Sequence, residues 1–543
     1  MEGLIRWRSM VTVAIDLAMP EDFNWAYDVI DRWADDPQKL GMHWVGPTGE
    51  ERLVTFAEFR ARSHRLANEL EAMGLQRGDR VLLMLPRVVA WWESILGLMK
   101  MGGVPMPATV LLTPKDSIYR INIAEARAVI TDTDGAAKIQ AIRDQCPTLE
   151  HLIVVGSPVE GTTGFEDLIS AGASERARMP TPGTDPALIY FTSGTVGNAK
   201  MVLHTHASYP IGHRITGTYW LDLKPDDLHW NLSDTGWAKA AWSSLFGPWN
   251  MGAALFIHDG RGKYNAHETL ELLQRYPITS FCAAPTIYRL LVQEDLKAFT
   301  FSSLRSCVSA GEPLNPEVID VWREATGLTV RDGYGQTESV LLCGNPPGQP
   351  IRPGSMGKPL PGIDLAIIDD ENEPLPPGKE GDLAVRVRPE RPVGLFKEYW
   401  RNPNGTAACH RGDWYVTGDR AYVDNDGYYW FVGRSDDVII SAGYRIGPFE
   451  VESALIEHPA VAEAAVVAKP DAARGSIVKA YVVLVSSAQP SEELQHELQE
   501  FVKTNTAPYK YPREIEFVRD LPKTISGKIR RIELRARAEQ EVQ

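Results

Sequence analysis

The stretch YFTSGTVGNAK, residues 190–200, governs the reading of this chain. An apolar, strand-like lead at 187–191 opens into hydroxyls and glycines and closes on a lysine. Thr192, Ser193, Gly194 and Thr195 offer consecutive backbone N–H groups and hydroxyls to one anion, and Gly194 and Gly197 let the backbone approach it closely. Lys200 adds a mobile positive charge. The spacing is not G-x-x-x-x-G-K-[ST], and Met201 follows the lysine, so the loop is not that of a P-loop NTPase. By composition alone a flexible surface turn fits as well as a phosphate loop.

Outward from this loop the pattern alternates helix and strand. Residues 56–73 have helical periodicity and stop at Gly74, 80–86 is a short apolar strand, and 88–101 is helical again. Apolar strands recur at 128–131, 152–155, 187–191, 253–257 and 278–283, with helical stretches such as 268–276 and 286–294 between them. Such βα units predict an α/β fold of parallel sheets covered by helices. After about residue 345 the chain turns Pro/Gly-rich, and 363–388 reads as strands around PLPPGKEGD, a β-rich subdomain. From Ser435 a compact α+β tail follows: a helix at 449–458, strands at 463–468 and 478–485, a charged helix at 491–505 and a basic end. These shifts place a boundary between a large domain, 1–434, and a small one, 435–543.

A chain of 543 residues is too long for one core, which agrees with two domains. With 44% hydrophobic and 23% charged residues, its composition is that of a globular protein. A formal charge of −15 argues against general nucleic-acid binding, which draws on neutralised phosphates. No charge-free apolar run reaches the ~18 residues of a membrane span. The N-terminal segment MVTVAIDLAM is broken by Asp16 and reads as a ragged start rather than a signal peptide. Five scattered cysteines without CxxC spacing fit buried hydrophobes in a reducing compartment, and the expected location is cytoplasmic.

Three further stretches carry candidate chemistry. RDGYGQTES, 331–339, follows a short strand: Tyr334 suits stacking on a base, and Thr337 and Glu338 suit phosphate oxygens and a divalent cation. A tight turn with a helix cap is the plain alternative. In residues 415–448, Asp419 follows a Thr-Gly turn, where a carboxylate can grip a ribose diol, and Arg434 and Arg445 flank a turn with Asp436 and Asp437. In LPKTISGKIRR, 521–531, Lys528 follows Ser-Gly, and a basic solvated tail is the plain alternative.

In this order and spacing the four stretches closely resemble the adenylate-forming superfamily of acyl-CoA synthetases, peptide-synthetase adenylation domains and luciferase-like enzymes. The resemblance spans residues 20–535 and is nearest to medium-chain acyl-CoA synthetases, on YFTSGTVGNAKM, SDTGWAKAAWSSLFGPW (233–249), FCAAPTIYRLL (281–291), SAGEPLNPEV (309–318), SAGYRIGPFEVES (441–453) and APYKYPREIEFV (507–518). It implies that a carboxylic acid and ATP form an acyl-adenylate and pyrophosphate, and that CoA then displaces AMP. Thr192 to Lys200 would cradle the β- and γ-phosphates. The family loop carries Thr, Pro and Gly where this chain has Val196, Ala199 and Met201, so one donor is lost and several remain.

By the same resemblance, Gly311, Glu312, Pro313, Asp332, Gly333, Tyr334, Gly335 and Gln336 would line the nucleotide site. Thr337 would touch the α-phosphate, Glu338 would ligate Mg²⁺, and Asp419 with Arg434 would hold the ribose. Lys528 would enter the site for adenylation only, with Asp436 as the hinge. Ala442, Gly443 and Tyr444 would border the pantetheine path, with Arg445, Arg474, Lys503 and Arg513 for the phosphates of CoA or AMP. Trp237, Ser309, Ala310 and Gly311 would wall the acyl pocket. Amino-acid-activating relatives carry an aspartate just after the matching aromatic, but this chain has Ala238, which argues for a plain acyl chain. An aryl- or branched-acyl-CoA ligase is the runner-up, and loading of a carrier protein a more distant one, as no carrier follows the Lys528 motif. Expected partners are a carboxylic acid, ATP and CoA, not nucleic acid, and a homo-oligomer stays open.

Overall fold

The computed structural model describes residues 15–192, 199–442, 444–471, 474–523 and 528–541, with Arg445 by its backbone alone. Ser193, Gly194, Thr195 and Gly197 of the expected phosphate loop and Gly443 lie outside the described residues.

The helix Val89–Met101 explains much of the large domain. All thirteen of its residues are buried, including Trp91 and Trp92, as expected of a helix apolar nearly all round. Its two charged residues are paired: Glu93 accepts from Arg62 Nε at 2.6 Å, and Lys100 donates to Asp31 at 2.7 Å. Gly102, in the left-handed region at φ 75°, ends it. The long helix Phe56–Ala72 packs beside it, capped by the Thr55 side chain accepting from Glu58 N–H.

Two sheets flank this core. One has five parallel strands in the order Val104–Pro107, Arg80–Met84, Ala128–Asp132, His151–Val155, Thr163–Gly164. The other has nine strands, and its parallel centre includes Leu228–Leu232, Ser280–Ala283, Ser306–Ala310 and Val330–Gly335. The strand Pro186–Phe191 joins neither. It forms an antiparallel hairpin with Met201–Thr205, which Glu398–Tyr399 extends to three strands. Its apolar run fixes a buried strand but not its partner, so the parallel βα reading is corrected at this point. A five-stranded antiparallel sheet including Gly381–Arg386, Trp414–Val423 and Tyr429–Arg434 forms the β-rich part.

From Ile439 onward the buried apolar residues form clusters of their own, centred on the strands Val461–Asp471, Gly475–Leu484 and Glu514–Phe517. The basic end is not a solvated tail. Arg531–Gln540 is a helix that buries Leu534 and Ala538 against Tyr481. Four cysteines are buried and Cys409 is half-buried. Among the described residues no helix is long and apolar enough to cross a membrane.

Candidate active site

The site forms where strand ends of the large domain meet the small domain. The strand Val330–Gly335 delivers Asp332, Gly333, Tyr334 and Gly335, with Gln336, Thr337 and Glu338 just beyond its end. Glycine is required at two of these places. A Cβ on Gly333 would come within 2.7 Å of Trp220 Nε1, and one on Gly335 within 2.6 Å of the Trp242 ring. The neighbouring strand Ser306–Ala310 ends at Gly311, whose φ of +112° suits glycine and whose Cβ direction is open.

Asp332 is buried, and its carboxylate accepts from Gly333 N at 2.9 Å and Leu314 N at 3.3 Å. Burial outweighs these donors and pushes its pKa up to about 7. Beside it, Glu312 accepts from Thr286 Oγ1 at 2.5 Å and from Arg289 at 2.8 Å. Burial pushes this carboxyl up, but Arg289, Thr286 and Lys528 together hold it below its ordinary value.

Asp419 lies opposite Arg434 across two antiparallel strands, with the guanidinium Nε 3.2 Å from its carboxylate. The Tyr334 hydroxyl donates to the same carboxylate, and Gln336 Nε2 donates to it at 2.7 Å. Gln336 is itself fixed, donating to Thr417 O at 2.9 Å and accepting from Tyr415 at 2.9 Å. Burial raises the Asp419 pKa against Arg434 and these donors. Tyr334 therefore serves the carboxylate through its hydroxyl, a link that the sequence did not disclose.

Glu338 accepts from the Tyr399 hydroxyl at 2.8 Å. Burial raises its pKa, against that bond and the charge of Lys200. The Lys200 ammonium stands 4.7 Å from the Tyr399 ring centroid. Thr192 N–H bonds to Lys200 O at 3.0 Å and closes the loop's base, and His204 bonds through Nε2 to Thr337 O at 2.8 Å. The hairpin and the Gln-Thr-Glu segment are thus one unit.

Lys528, far along the chain, reaches this unit. Its residue surface is open to water, yet its ammonium is crowded, and burial foremost lowers its pKa. Arg434 lowers it further, while Glu312, Asp419 and Glu338 pull it back up. One cation of the small domain therefore stands within the field of three carboxylates of the large domain. The domains also touch where Asn315 Nδ2 donates to Ser453 Oγ at 3.3 Å. At Asp436, the expected hinge, Arg434 stands 3.9 Å from the carboxylate, and Arg535 donates to Asp436 O at 2.9 Å.

The chain belongs to the AMP-binding enzyme family. The model of that family matches residues 30–400, and that of the AMP-binding enzyme C-terminal domain matches 450–528. The mouse acyl-coenzyme A synthetase ACSM3, mitochondrial, is 48% identical over 96% of this chain and 91% of its own length. The human ACSM4, also named mitochondrial, is 48% identical over 95% and 91%. Among solved structures, an anthranilate CoA ligase in complex with anthranoyl-AMP is 34% identical with a TM-score of 0.89, covering 96% of this chain and 99% of that one. A benzoate CoA ligase from Burkholderia xenovorans LB400 is 31% identical with a TM-score of 0.83, covering 94% and 100%. This AMP-binding enzyme is an AMP-forming acyl-CoA synthetase, an acid–thiol ligase.

The relatives' names correct the expected compartment, pointing to mitochondria rather than the cytoplasm. The inference from cysteines was too coarse, because scattered free thiols report a reducing milieu and not a particular compartment.

Of the remaining expected residues, Trp237 is half-buried at the start of the short helix Ala238–Ala241, and its indole Nε1 has no hydrogen-bond partner among the described residues. Ser309 and Ala310 are buried. The sequence reading passed over Lys239, which donates to Ala310 O at 3.0 Å. It also passed over Trp242, whose Nε1 donates to Tyr209 at 2.9 Å. Of the residues expected for CoA, Ala442, Tyr444, Arg474, Lys503 and Arg513 all lie beyond residue 435. Ala442 N–H bonds to Arg474 O at 2.9 Å, Tyr444 stacks on Tyr509 at 4.3 Å, and Lys503 and Arg513 converge on the Tyr511 ring.

Proposed function

We propose that this synthetase activates a medium-chain fatty acid through an acyl-adenylate, and that its 435–543 domain turns about Asp436 between the two half-reactions. The observation that carries this reading is Lys528 in the field of Glu312, Asp419 and Glu338. That is the arrangement the first half-reaction needs. A carboxylate, already ionised at neutral pH, attacks the α-phosphorus of ATP and pyrophosphate leaves. Negative charge meets negative charge, so fixed cations on the transferring group lower the barrier most. Lys528 meets that need from one side. Lys200, with Thr192 and the loop it closes, holds the departing phosphates from the other. Asp419, oriented by Tyr334, Gln336 and Arg434, accepts from the ribose hydroxyls.

Glu338 suits Mg²⁺. It is a half-buried residue whose carboxylate charge is disfavoured by desolvation, so a bound cation would restore that charge. Among the described residues no cluster of three ligand side chains surrounds it, so the ion would take most ligands from phosphate oxygens and water, as Mg²⁺ usually does. The ion would neutralise charge on the phosphates.

In the second half-reaction the CoA thiol attacks the acyl carbon and AMP leaves. The thiol must come close to where Lys528 stands, so one site serves both reactions only if the small domain moves. The turn would bring Ala442, Tyr444 and the basic groups Arg474, Lys503 and Arg513 toward the site. The proposed compartment is that of the relatives, mitochondrial. The uncharged wall of Trp237 and Ala238 favours an acyl chain without an amine. A second reading, a preference for short or branched acids, is favoured by the Trp242 ring, which fills space beside Gly335. Turnover of hexanoate, octanoate, 2-methylbutyrate and benzoate with ATP and CoA, scored by AMP and acyl-CoA, tests both. Octanoate is expected to lead, and a profile led by benzoate contradicts the proposal.

A further inference from the structure

Lys200, beside the hairpin strand Met201–Thr205, and Glu338 carry opposite charges, and the Lys200 charge acts on the Glu338 carboxylate. Nothing in the charges themselves keeps them from closing into a direct ion pair. Such a pair would spend on each other the cation meant for phosphate and the carboxylate meant for a metal. Among the described residues Lys200 makes no ion pair, and the Tyr399 side chain fills the position between. Its ring face receives the Lys200 ammonium at 4.7 Å, and its hydroxyl donates to Glu338 Oε1 at 2.8 Å.

The backbone holds Tyr399 there firmly. Glu398 pairs with Leu203 and Tyr399 with Val202, on the strand that follows Lys200. Lys397 N–H bonds to Leu203 O at 2.7 Å, Trp400 N–H to Met201 O at 2.8 Å, and Phe396 N–H to Glu338 O at 2.7 Å. Five consecutive residues thus tie the root of the phosphate loop to the segment carrying Glu338. Phe396 packs on the Tyr399 ring at 4.8 Å.

We propose that Tyr399 is a positioning residue that keeps Lys200 and Glu338 apart, leaving the ammonium for the outer phosphates of ATP and the carboxylate for the metal. Ring and hydroxyl do separate work. The ring face supports Lys200, and the hydroxyl fixes which oxygen of Glu338 stays open. The inference rests on the phosphate and metal roles proposed for those two residues.

The test titrates ATP, without acid or CoA, into the full chain by calorimetry, once with EDTA and once with Mg²⁺. Tyr399→Phe keeps the ring and removes the hydroxyl. It should bind ATP in EDTA like the wild type, but lose about tenfold of the tightening by Mg²⁺, the scale of one hydrogen bond to a charge. Tyr399→Leu removes the ring as well, and should bind about fivefold more weakly in EDTA too, the scale of a cation–π contact. Lys200→Ala and Glu338→Gln are the references, expected to weaken the EDTA and the Mg²⁺ measurement respectively. If both references respond while Tyr399→Phe keeps the full Mg²⁺ effect, or Tyr399→Leu matches Tyr399→Phe in EDTA, the inference alone is overturned. If neither reference responds, the roles of Lys200 and Glu338 fall and the inference falls with them. Thermal unfolding of each variant identifies any that has lost its fold, and Tyr399→Phe, which empties no space, then decides.

Discussion

Replacing Lys528 by alanine removes one ammonium from the field of Glu312, Asp419 and Glu338 and should separate the two half-reactions. The fold should tolerate the change. Glu312 keeps Thr286 and Arg289, Asp419 keeps Arg434, Tyr334 and Gln336, and Lys528 itself is open to water. The stability cost is therefore about 0.5 kcal/mol or less. Adenylation loses a cation aimed at developing charge in a crowded site. The comparable loss of one such donor is about 3 kcal/mol, or roughly two orders of magnitude in rate. Thiolysis loses nothing, because the lysine has withdrawn by then. Octanoate-dependent exchange of labelled pyrophosphate into ATP reads the first step, and consumption of synthetic octanoyl-adenylate by CoA reads the second. An equal fall in both would refute the alternating role of Lys528.

Trp242→Ala should shift preference toward longer acids, each newly accommodated methylene adding about 0.8 kcal/mol, or about fourfold in kcat/KM. Rates over a series from butyrate to dodecanoate check this, and an unchanged ranking would place Trp242 outside the acyl path. Asp332 supplies a pH prediction. Its pKa, raised from 3.8 to about 7 by burial, lets the folded state keep a proton that the unfolded chain loses first. Its contribution to stability is thus complete below about 4 and lost as pH rises to about 7. Urea midpoints across that range should fall more steeply for the wild type than for Asp332→Asn, and parallel profiles would count against a protonated Asp332.

Residues close in sequence were the legible part of the site. Thr192 to Lys200, Asp332 to Glu338, Asp419 and Lys528 lie in short stretches whose composition announces itself, and their order on the chain implied a common centre. Tyr399 announced nothing, because its role arises from a two-residue strand pairing with Met201–Thr205. Arg289 escaped notice for a similar reason: it belongs to the helix Pro285–Leu291 and meets Glu312 only across the fold. Elements were read more surely than their partners. The strand Pro186–Phe191 was evident from its apolar run, yet buried strands in parallel and antiparallel sheets look alike in sequence. The terminal helix Arg531–Gln540 hid behind its basic residues because only Leu534 and Ala538 turn inward.

The acyl-adenylate route is tested most directly by following the oxygen of the acid. Octanoate labelled with oxygen-18 in both carboxylate positions, incubated with ATP, CoA and the synthetase, should yield AMP carrying one labelled oxygen and pyrophosphate carrying none. The attacking carboxylate oxygen stays on phosphorus when the thiol takes the acyl group. Unlabelled AMP, or label in pyrophosphate or free phosphate, would contradict the account.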